Sequence, residues 1–314
     1  MTTKAQLFFS GTDVPGREQT VLSLAGCGPD VARVSEIGWQ GKITVNVFVI
    51  LDVEDPRLAL LQKLLLSYKV DWQERRWDEY TDEEYEAARL ILVTETIDVF
   101  VAGGPRFGTD YDLSSACPAC GAGMRQTSAY VLAGIYPELI GRLEEYRAVD
   151  SYSEILVDPR LAETLEGAGI SGLSFRSVYS LQKDNRQIKL PWRQLWASHT
   201  LPPMSPRSTG IESDEVCKSC QRGKYHTTSK QPTRIAYRAQ DLAAAQDVNR
   251  MWEHFGDVRW NGDLKTAVVS QPYFVVTPKV WRIFKDAGVT GFNWLPIRVV
   301  AEEGRDSPDA PPLP

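Results

Sequence analysis

Residues Glu154–Ser180 read EILVDPRLAETLEGAGISGLSFRSVYS, and residues Tyr273–Val299 read YFVVTPKVWRIFKDAGVTGFNWLPIRV. The two segments align without a gap. Each contains an apolar run, an Asp or Thr, a proline, an amphipathic run, Ala-Gly and a second apolar run. Apolar runs of this length are typical of strands, and the amphipathic runs are typical of helices. We therefore predict a strand, a helix and a strand in each segment.

The ends of the two predicted helices are marked by the same residue types. Proline is tolerated at the first helical position because that amide needs no partner within the helix, which suits Pro159 and Pro278. Glycine adopts the left-handed conformation that often ends a helix, which suits Gly169 and Gly288. Since every boundary residue recurs, we interpret residues 154–180 and 273–299 as an internal repeat.

A CxxC motif precedes each repeat segment: CPACG starts at Cys117 and CKSC starts at Cys217. One CxxC turn supplies two thiolates, and a structural zinc site needs four ligands in a tetrahedron. The long gap between Cys120 and Cys217 is explained if each half of the repeat brings its own pair. Four cysteines close the coordination shell, whereas catalytic zinc keeps an open position. We therefore predict one structural Zn²⁺ bound by Cys117, Cys120, Cys217 and Cys220.

Two other uses of paired cysteines fit the sequence less well. A thioredoxin-like redox pair lies at a helix start, but CPACGAG continues with glycines, which open a helix poorly. A zinc deaminase needs an HxE motif, and none of the three histidines, His199, His226 and His254, belongs to one. We interpret His226 as a surface residue and His254 as a packing or capping residue near a helix end. The fifth cysteine, Cys27, is interpreted as a small buried residue.

These observations predict an α+β fold with two related strand–helix–strand halves that share the four-cysteine zinc site. The halves occupy residues 108–300, and residues 1–107 form an additional N-terminal α/β region. Residues 301–314 contain four prolines and several acids, which predicts a disordered tail.

The first part of the N-terminal region has clear strand and helix signals. Residues Lys42–Val53 are rich in β-branched and apolar residues, which predicts a strand covered on both faces. Asp55 and Pro56 then start a predicted helix, because proline suits its first turn. The residues expected on the buried face of that helix are Leu58, Leu61 and Leu65.

A second N-terminal helix is predicted to start at Thr81, which can cap the free amides while Glu84 reaches back toward it. Its expected buried stripe consists of Tyr85, Ala88 and Leu92. Residues Ile97–Val101 follow as a predicted short strand before a glycine turn at Gly103 and Gly104.

Composition places the chain among globular proteins, since 43% of its residues are hydrophobic and its net charge is −6. The first residues lack the apolar core of a signal peptide, and no apolar run approaches the ~20 residues of a membrane span. We therefore expect a cytoplasmic protein without a membrane partner. Because a reducing compartment keeps thiols free, the paired cysteines favour metal binding over disulfides.

Positive charge is concentrated around the second CxxC motif. Residues 171–240 contain 12 Lys or Arg against four Asp or Glu. The candidate partner-binding residues are Arg222, Lys224, Arg234 and Arg238. The basic tract 218–238 could contact phosphates in a zinc-ribbon nucleic-acid-binding protein, although a solvated loop is the commoner explanation. The acidic pI of about 5.3 also disfavours nucleic-acid binding.

The motifs CPACG and CKSC, each followed by a capped strand–helix–AGxxG–strand segment, resemble the double-CxxCG paralogous family of myxobacteria. The resemblance covers residues Gly108–Val300 and includes the runs WEHFG and YFVVTPKVWRIFKDAGVTGF. Gln221 departs from the CxxCG pattern at the second motif. Of the family's functional residues, the four cysteines alone match positions in this chain.

The resemblance implies an immunity protein, because some members of that family are treated as immunity proteins against cognate polymorphic toxins. We accordingly expect a non-enzymatic protein that binds and neutralises a bacterial toxin. Such a blocker acts by affinity and needs no catalytic residues. The sequence contains no GxSxG, HExxH or Walker pattern, which agrees with this expectation.

Overall fold

The computed structural model describes residues 1–11, 17–39, 42–95, 101–134 and 146–301. The predicted strand Ile97–Val101 and the predicted tail 301–314 lie outside these residues except for Val101 and Ala301. The chain divides into two compact units. The N-terminal unit comprises Met1–Thr81 and Thr228–Thr233, and the C-terminal unit comprises Asp82–Thr227 and Arg234–Pro314. This division comes earlier in the chain than the predicted region boundary at residue 107, which stays a prediction.

The N-terminal unit has the element order β-α-β-β-α-β. Its elements are β1 (Thr2–Gly11), α1 (Arg17–Ala25), β2 (Ala32–Trp39), β3 (Lys42–Asp52), α2 (Pro56–Ser67) and β4 (Trp72–Glu79). The strands form one sheet in the order β2-β3-β1-β4, and all neighbours are antiparallel. This order and connectivity define a split βαβ, or ferredoxin-like, topology.

Helix α2 begins where its capping residues predict. The side chain of Asp55 accepts a hydrogen bond from the backbone N–H of Arg57, and Pro56 occupies the first turn. The predicted inward residues Leu58, Leu61 and Leu65 are all buried. The signals for this helix were local, and the prediction is confirmed.

Strand β3 is present as predicted, but only one of its faces is covered. Val47 and Val49 are fully buried, whereas Phe48 and Ile50 are 36% and 39% exposed. The prediction of a strand covered on both faces is therefore wrong. Antiparallel sheets commonly pack one face on the core and leave the other solvated, so alternation replaces uniform burial.

The segment Thr228–Thr233 belongs to the N-terminal unit although it follows the second CxxC motif in sequence. The backbone N–H of Arg76, in the edge strand β4, donates to the carbonyl of Ser229 over 2.9 Å. This hydrogen bond satisfies one donor of an edge strand that would otherwise be open.

The C-terminal unit contains more strand than helix among its described residues. Its helices are α3 (Asp82–Ala87), α4 (Pro159–Gly167) and α5 (Pro278–Asp286), with short 3-10 turns at Pro105–Phe107 and Ala239–Leu242. Its strands are β5 (Ile91–Glu95), β6 (Tyr111–Asp112), β7 (Arg125–Gln126), β8 (Tyr130–Leu132), β9 (Ala148–Ser151), β10 (Glu154–Val157), β11 (Leu173–Leu181), β12 (Gln187–Ala197), β13 (His199–Thr200), β14 (Ile211–Glu212), β15 (His226–Thr227), β16 (Ala236–Arg238), β17 (Val248–Phe255), β18 (Gln271–Val276), β19 (Phe292–Pro296) and β20 (Arg298–Val300).

Two five-stranded sheets organise this unit, in the orders β8-β11-β12-β10-β9 and β13-β17-β18-β5-β19. In the first sheet α4 connects β10 to β11, and β12 lies between them, antiparallel to both. In the second sheet α5 connects β18 to β19, and β5 lies between them, antiparallel to both. Both repeat segments thus form a strand, a helix and a strand, with a third strand inserted between the two.

The helix ends in the repeat segments carry the predicted residues, but the two N-caps differ. Asp158 accepts a hydrogen bond from the backbone N–H of Leu161 at the start of α4. Thr277 makes no such cap at the start of α5, and its hydroxyl donates instead to Asp247 over 2.8 Å. At the C-terminal ends, Gly169 and Gly288 have φ values of +62° and +71°, as the left-handed helix stop requires.

The helix predicted after Thr81 is shorter than expected. Helix α3 ends at Ala87, and Leu92 lies fully buried in β5 rather than in a helical stripe. The apolar run Ile91–Val93 pairs with β18 on one side and β19 on the other. These two ladders outweigh the helical periodicity that links Leu92 to Tyr85 and Ala88.

The sequence predicts no membrane-spanning segment, and the length and hydropathy of the helices bear on this prediction. Within the described residues, no helix is long and apolar enough to cross a membrane.

Candidate metal centre

The two CxxC motifs form turns that share one hydrogen bond and close in different ways. The carbonyl of Cys117 accepts the N–H of Gly121 over 2.8 Å, and the carbonyl of Cys217 accepts the N–H of Gln221 over 2.8 Å. The N–H of Cys117 also donates to the carbonyl of Ala122, five residues later, whereas that of Cys217 donates to the carbonyl of Gly223, six residues later. The second turn is therefore one residue longer than the first.

The residue after each motif has left-handed backbone. Gly121 has a φ of +74° and Gln221 a φ of +57°. A side chain at Gly121 would also place its Cβ 2.9 Å from a ring carbon of Trp260. Gln221 thus keeps the backbone conformation of the CxxCG glycine although it lacks the glycine itself.

The four sulfur atoms lie together in one cluster. Those of Cys117 and Cys217 are 3.9 Å apart, and those of Cys120 and Cys220 are 3.6 Å apart. All four lie within 4.8 Å of one another. A tetrahedral zinc with Zn–S bonds of ~2.3 Å implies sulfur separations of about 3.8 Å. The cluster can hold a metal ion, and its dimensions are consistent with zinc.

The cluster is largely shielded from solvent. Cys120 is fully buried, and Cys117 and Cys217 are each 7% exposed. The backbone approaches the sulfur atoms closely at Gly223, where a Cβ would lie 3.0 Å from the Cys120 sulfur. A side chain at this position would crowd the Cys120 sulfur, and the glycine of the second turn comes two positions later than that of the first.

The thiols of the cluster differ in acidity. Burial raises the pKa of Cys120 and of Cys220 above the ordinary thiol value. Burial also acts to raise the pKa of Cys217, but hydrogen bonds from the backbone N–H groups of Cys220 and Ser219 outweigh it and lower that pKa to about 7. These N–H groups point at the sulfur and are suited to stabilise a thiolate ligand.

Arg222, one of the predicted partner-binding residues, is half-buried beside this cluster. Its Nε donates to the carbonyl of Trp252 over 2.9 Å, and its own carbonyl accepts the N–H of His254. Burial lowers the pKa of Arg222, whereas the nearby thiols of Cys220 and Cys120 act to raise it. The guanidinium is therefore close enough to the cluster to offset negative charge on its sulfur atoms.

The other predicted partner-binding residues are dispersed. Arg238 forms an ion pair with Asp241 over 2.8 Å. The backbone of Arg234 exchanges two hydrogen bonds with Thr209, and the backbone N–H of Lys224 donates to the Ser270 hydroxyl. Part of the basic tract, residues 228–233, belongs to the N-terminal unit. Partner binding by these residues stays a prediction.

The two histidines considered as alternatives take different positions. His226 lies in β15, where its Nε2 is 3.9 Å from a carboxylate oxygen of Asp257, and it is not a member of the four-cysteine group. His254 lies in strand β17, so its predicted place near a helix end is wrong. The antiparallel ladder with β18 fixes it there, paired with Pro272.

The environment of His254 and its neighbour Glu253 could not be read from the sequence. His254 is buried, its Nδ1 lies 3.0 Å from the carbonyl of Ser270, and burial lowers its pKa to about 3. Glu253 accepts a hydrogen bond from the N–H of Met204, and burial raises its pKa to about 7. The hydroxyl of Tyr237 is also buried and has no hydrogen-bond partner among the described residues.

Comparison with known proteins leaves this geometry as the main guide to function. No protein-family model matches the chain, and no curated protein shows significant similarity to it. The fold and the site define a strand-rich α+β protein with a four-cysteine cluster that can hold a metal ion.

Proposed function

We propose that Cys117, Cys120, Cys217 and Cys220 bind one structural Zn²⁺ in a non-enzymatic immunity-type protein that neutralises a bacterial toxin. The observation that carries the proposal is the cluster itself. Two CxxC turns meet with sulfur separations of 3.6 and 3.9 Å. Two paired CxxC motifs are also what the resemblance to the double-CxxCG family implies, although Gln221 departs from that pattern at the second motif.

The donor set supports zinc and a structural role. Four thiolates are soft ligands, and a tetrahedral sulfur set favours zinc over the hard cations magnesium and calcium. Four protein ligands also leave no position for a substrate or a water molecule. The zinc would supply a cross-link between turns that are 100 residues apart in sequence.

The topology supports two related halves joined by this zinc. Each repeat segment forms a strand–helix–strand unit, and each unit receives an antiparallel strand between its own two strands. In the first half the inserted strand, β12, follows the unit in sequence; in the second half the inserted strand, β5, comes from far upstream. Each half would contribute one CxxC turn to the shared site.

Toxin neutralisation is tested by co-expression. A candidate toxin chosen from the genes adjacent to the gene for this chain is expressed in a sensitive host, with and without the chain. We expect growth to be restored by the chain and the two proteins to co-purify. Equal toxicity in both strains would reject the immunity proposal, whatever the metal content of the protein.

The nucleic-acid alternative receives less support from the placement of the basic tract. Arg238 is paired with Asp241, and Arg222 is half-buried at the cysteine cluster. Binding of DNA or RNA at low salt that is lost after Arg234→Glu, while the fold is retained, would favour the alternative over the immunity proposal.

A further inference from the structure

A cavity of about 160 Å³ lies in the C-terminal unit, and none of the four cysteines lines it. Its walls come from the segment after Gly103, from strands β6, β8 and β10, and from the loop before β18. Four aromatic side chains line it: Phe107, Tyr111, Tyr130 and Tyr152. A cavity of about 150 Å³ with apolar walls can hold one benzene molecule. The size and the lining both fit a single aromatic ring.

A buried carboxylate lines the cavity, and one of its two oxygen atoms accepts hydrogen bonds from the protein. Glu154 is 7% exposed. Its Oε2 accepts hydrogen bonds from Arg250 over 2.5 Å and from Gln194 over 2.9 Å. No described residue donates to its Oε1. A ligand with an O–H or N–H group could therefore donate to Glu154 without displacing an existing contact.

A second polar group in the lining is the hydroxyl of Tyr111. It forms no hydrogen bond with a described residue, and burial raises the pKa of Tyr111, so the phenol stays neutral near pH 7. A neutral hydroxyl can donate or accept a hydrogen bond. It would complement the same polar edge of a ligand that reaches Glu154.

The charges around the cavity argue against an organic cation as the ligand. The carboxylate of Glu154 is balanced by Arg250. Arg106, which also lines the cavity, is exposed and forms no ion pair with a described residue. Aromatic rings attract a bound cation, but a nearby positive charge repels it and weakens the binding. An uncharged ring with a hydrogen-bond donor fits this balance better.

We propose that the cavity binds one phenol or indole ring, which packs against the aromatic walls and donates its O–H or N–H to Glu154. The ring could belong to a free small molecule or to a Tyr or Trp side chain of a protein partner, since both present the same chemistry. Buried aromatic side chains are common anchors of protein interfaces. The inference concerns the cavity alone and does not depend on the proposed immunity function.

The test is a titration of the full-length protein followed by NMR of the backbone amides of Gly103 and Gly104, which line the cavity. We expect p-cresol and 3-methylindole to shift these amides saturably. Toluene, which lacks the donor, should bind about tenfold more weakly, as expected for loss of one hydrogen bond to a charged group. Equal binding of toluene and p-cresol, or tighter binding of tetramethylammonium, would overturn the proposal.

Two variants locate the binding. Ala267→Phe fills the cavity from the loop before β18 and should abolish the p-cresol shifts, whereas Ala239→Phe, at an exposed position outside the lining, should leave them unchanged. Unchanged binding in a folded Ala267→Phe variant would reject this cavity as the site. Tyr111→Phe keeps the ring and should weaken p-cresol more than toluene.

A further titration distinguishes the two sources of the ring. N-acetyl-tyrosinamide carries the phenol between two amide groups, as a polypeptide would. Affinity equal to that of p-cresol assigns the cavity to a partner's side chain. Binding of p-cresol without N-acetyl-tyrosinamide assigns it to a free small molecule.

Discussion

At the scale of single residues, the two positions after the CxxC motifs show how one backbone conformation is reached from two sequences. Gly121 and Gln221 both have positive φ values, but only glycine adopts them without strain. A left-handed conformation costs a residue with a side chain roughly 1–2 kcal/mol. The two positions therefore provide a reciprocal pair of substitutions.

We expect Gln221→Gly to stabilise the protein by about 0.5–1 kcal/mol, because strain is relieved at the cost of some unfolded-state entropy. Gly121→Gln should destabilise it by more than about 2 kcal/mol, because its Cβ would also meet Trp260. Urea unfolding of the two variants at equal zinc concentration measures both effects. Equal and small effects at the two positions would show that φ does not limit these turns.

Glu253 makes stability depend on pH in an unusual direction. Its pKa of about 7 in the fold lies above the ordinary value of 4.5, so the folded state keeps a proton that the unfolded state releases. This contribution is fully present below pH 4.5 and is lost as pH rises to about 7. Its size is on the order of 3 kcal/mol. We expect Glu253→Gln to remove this pH-dependent loss of stability. The free energy of unfolding of the variant should therefore exceed that of wild type by an amount that grows between pH 5 and pH 7.5.

The free energy of unfolding must be compared between wild type and variant at each pH, because His254 changes stability with pH in the opposite direction to Glu253. Its pKa of about 3 lies below the ordinary 6.5, so its contribution is lost as pH falls below 6.5. Unfolding free energies of wild type, Glu253→Gln and the exposed control Glu163→Gln are compared at each pH. A wild-type-minus-variant difference that is constant with pH would contradict the assignment.

At the scale of secondary structure elements, helices α4 and α5 share a sequence pattern but not a cap. Asp158 accepts a hydrogen bond from Leu161 and forms an ion pair with Arg147, whereas Thr277 makes no capping bond. We expect Asp158→Ala to cost about 1–2 kcal/mol through loss of the cap. Asp158→Asn, which keeps the acceptor and loses the charge, should cost less than half as much. Thermal unfolding of the two variants separates the cap from the ion pair, and equal losses would assign the effect to the ion pair.

Elements with local signals could be predicted from the sequence, and elements defined by distant partners could not. Asp55 and Pro56 mark α2 within two residues, and the prediction of that helix is confirmed. The run Ile91–Val93 fits a helix or a strand equally well, and it becomes β5 only because β18 and β19 supply its hydrogen bonds. His254 was misplaced for the same reason, since the ladder with β18 decides its conformation.

The candidate metal site was predicted at the level of its ligands. The four cysteines were identified from spacing alone, and they lie in one cluster. The place of Arg222 beside that cluster depends on contacts with Trp252 and His254, which no spacing rule specifies. The cavity that contains Glu154 and Tyr111 is assembled from several separate strands and loops, so no local pattern of residues indicates it.

At the scale of the whole molecule, the proposed zinc should be required for the fold of the C-terminal unit. Metal binding and folding share one free energy, which amounts to roughly 10 kcal/mol or more in small zinc domains. We expect elemental analysis to find about one zinc per chain, and we expect Cys117→Ser to lose it together with much of the thermal stability. Cys27, buried in the N-terminal unit, provides the control. Cys27→Ala should keep the zinc, and a folded, metal-free wild-type protein would contradict the proposal.

The pairing of Arg76 with Ser229 has a consequence for dissecting the chain. The N-terminal unit is discontinuous, so a recombinant fragment ending at Thr81 would lack the six residues that complete it. The edge strand β4 would then be open to pairing with a strand of another molecule. We expect light scattering to show that such a fragment self-associates. A fusion that joins Thr228–Thr233 to Thr81 through a glycine-serine linker should stay monomeric. Isolating the N-terminal unit therefore requires joining its two segments, and truncation after Thr81 is not enough.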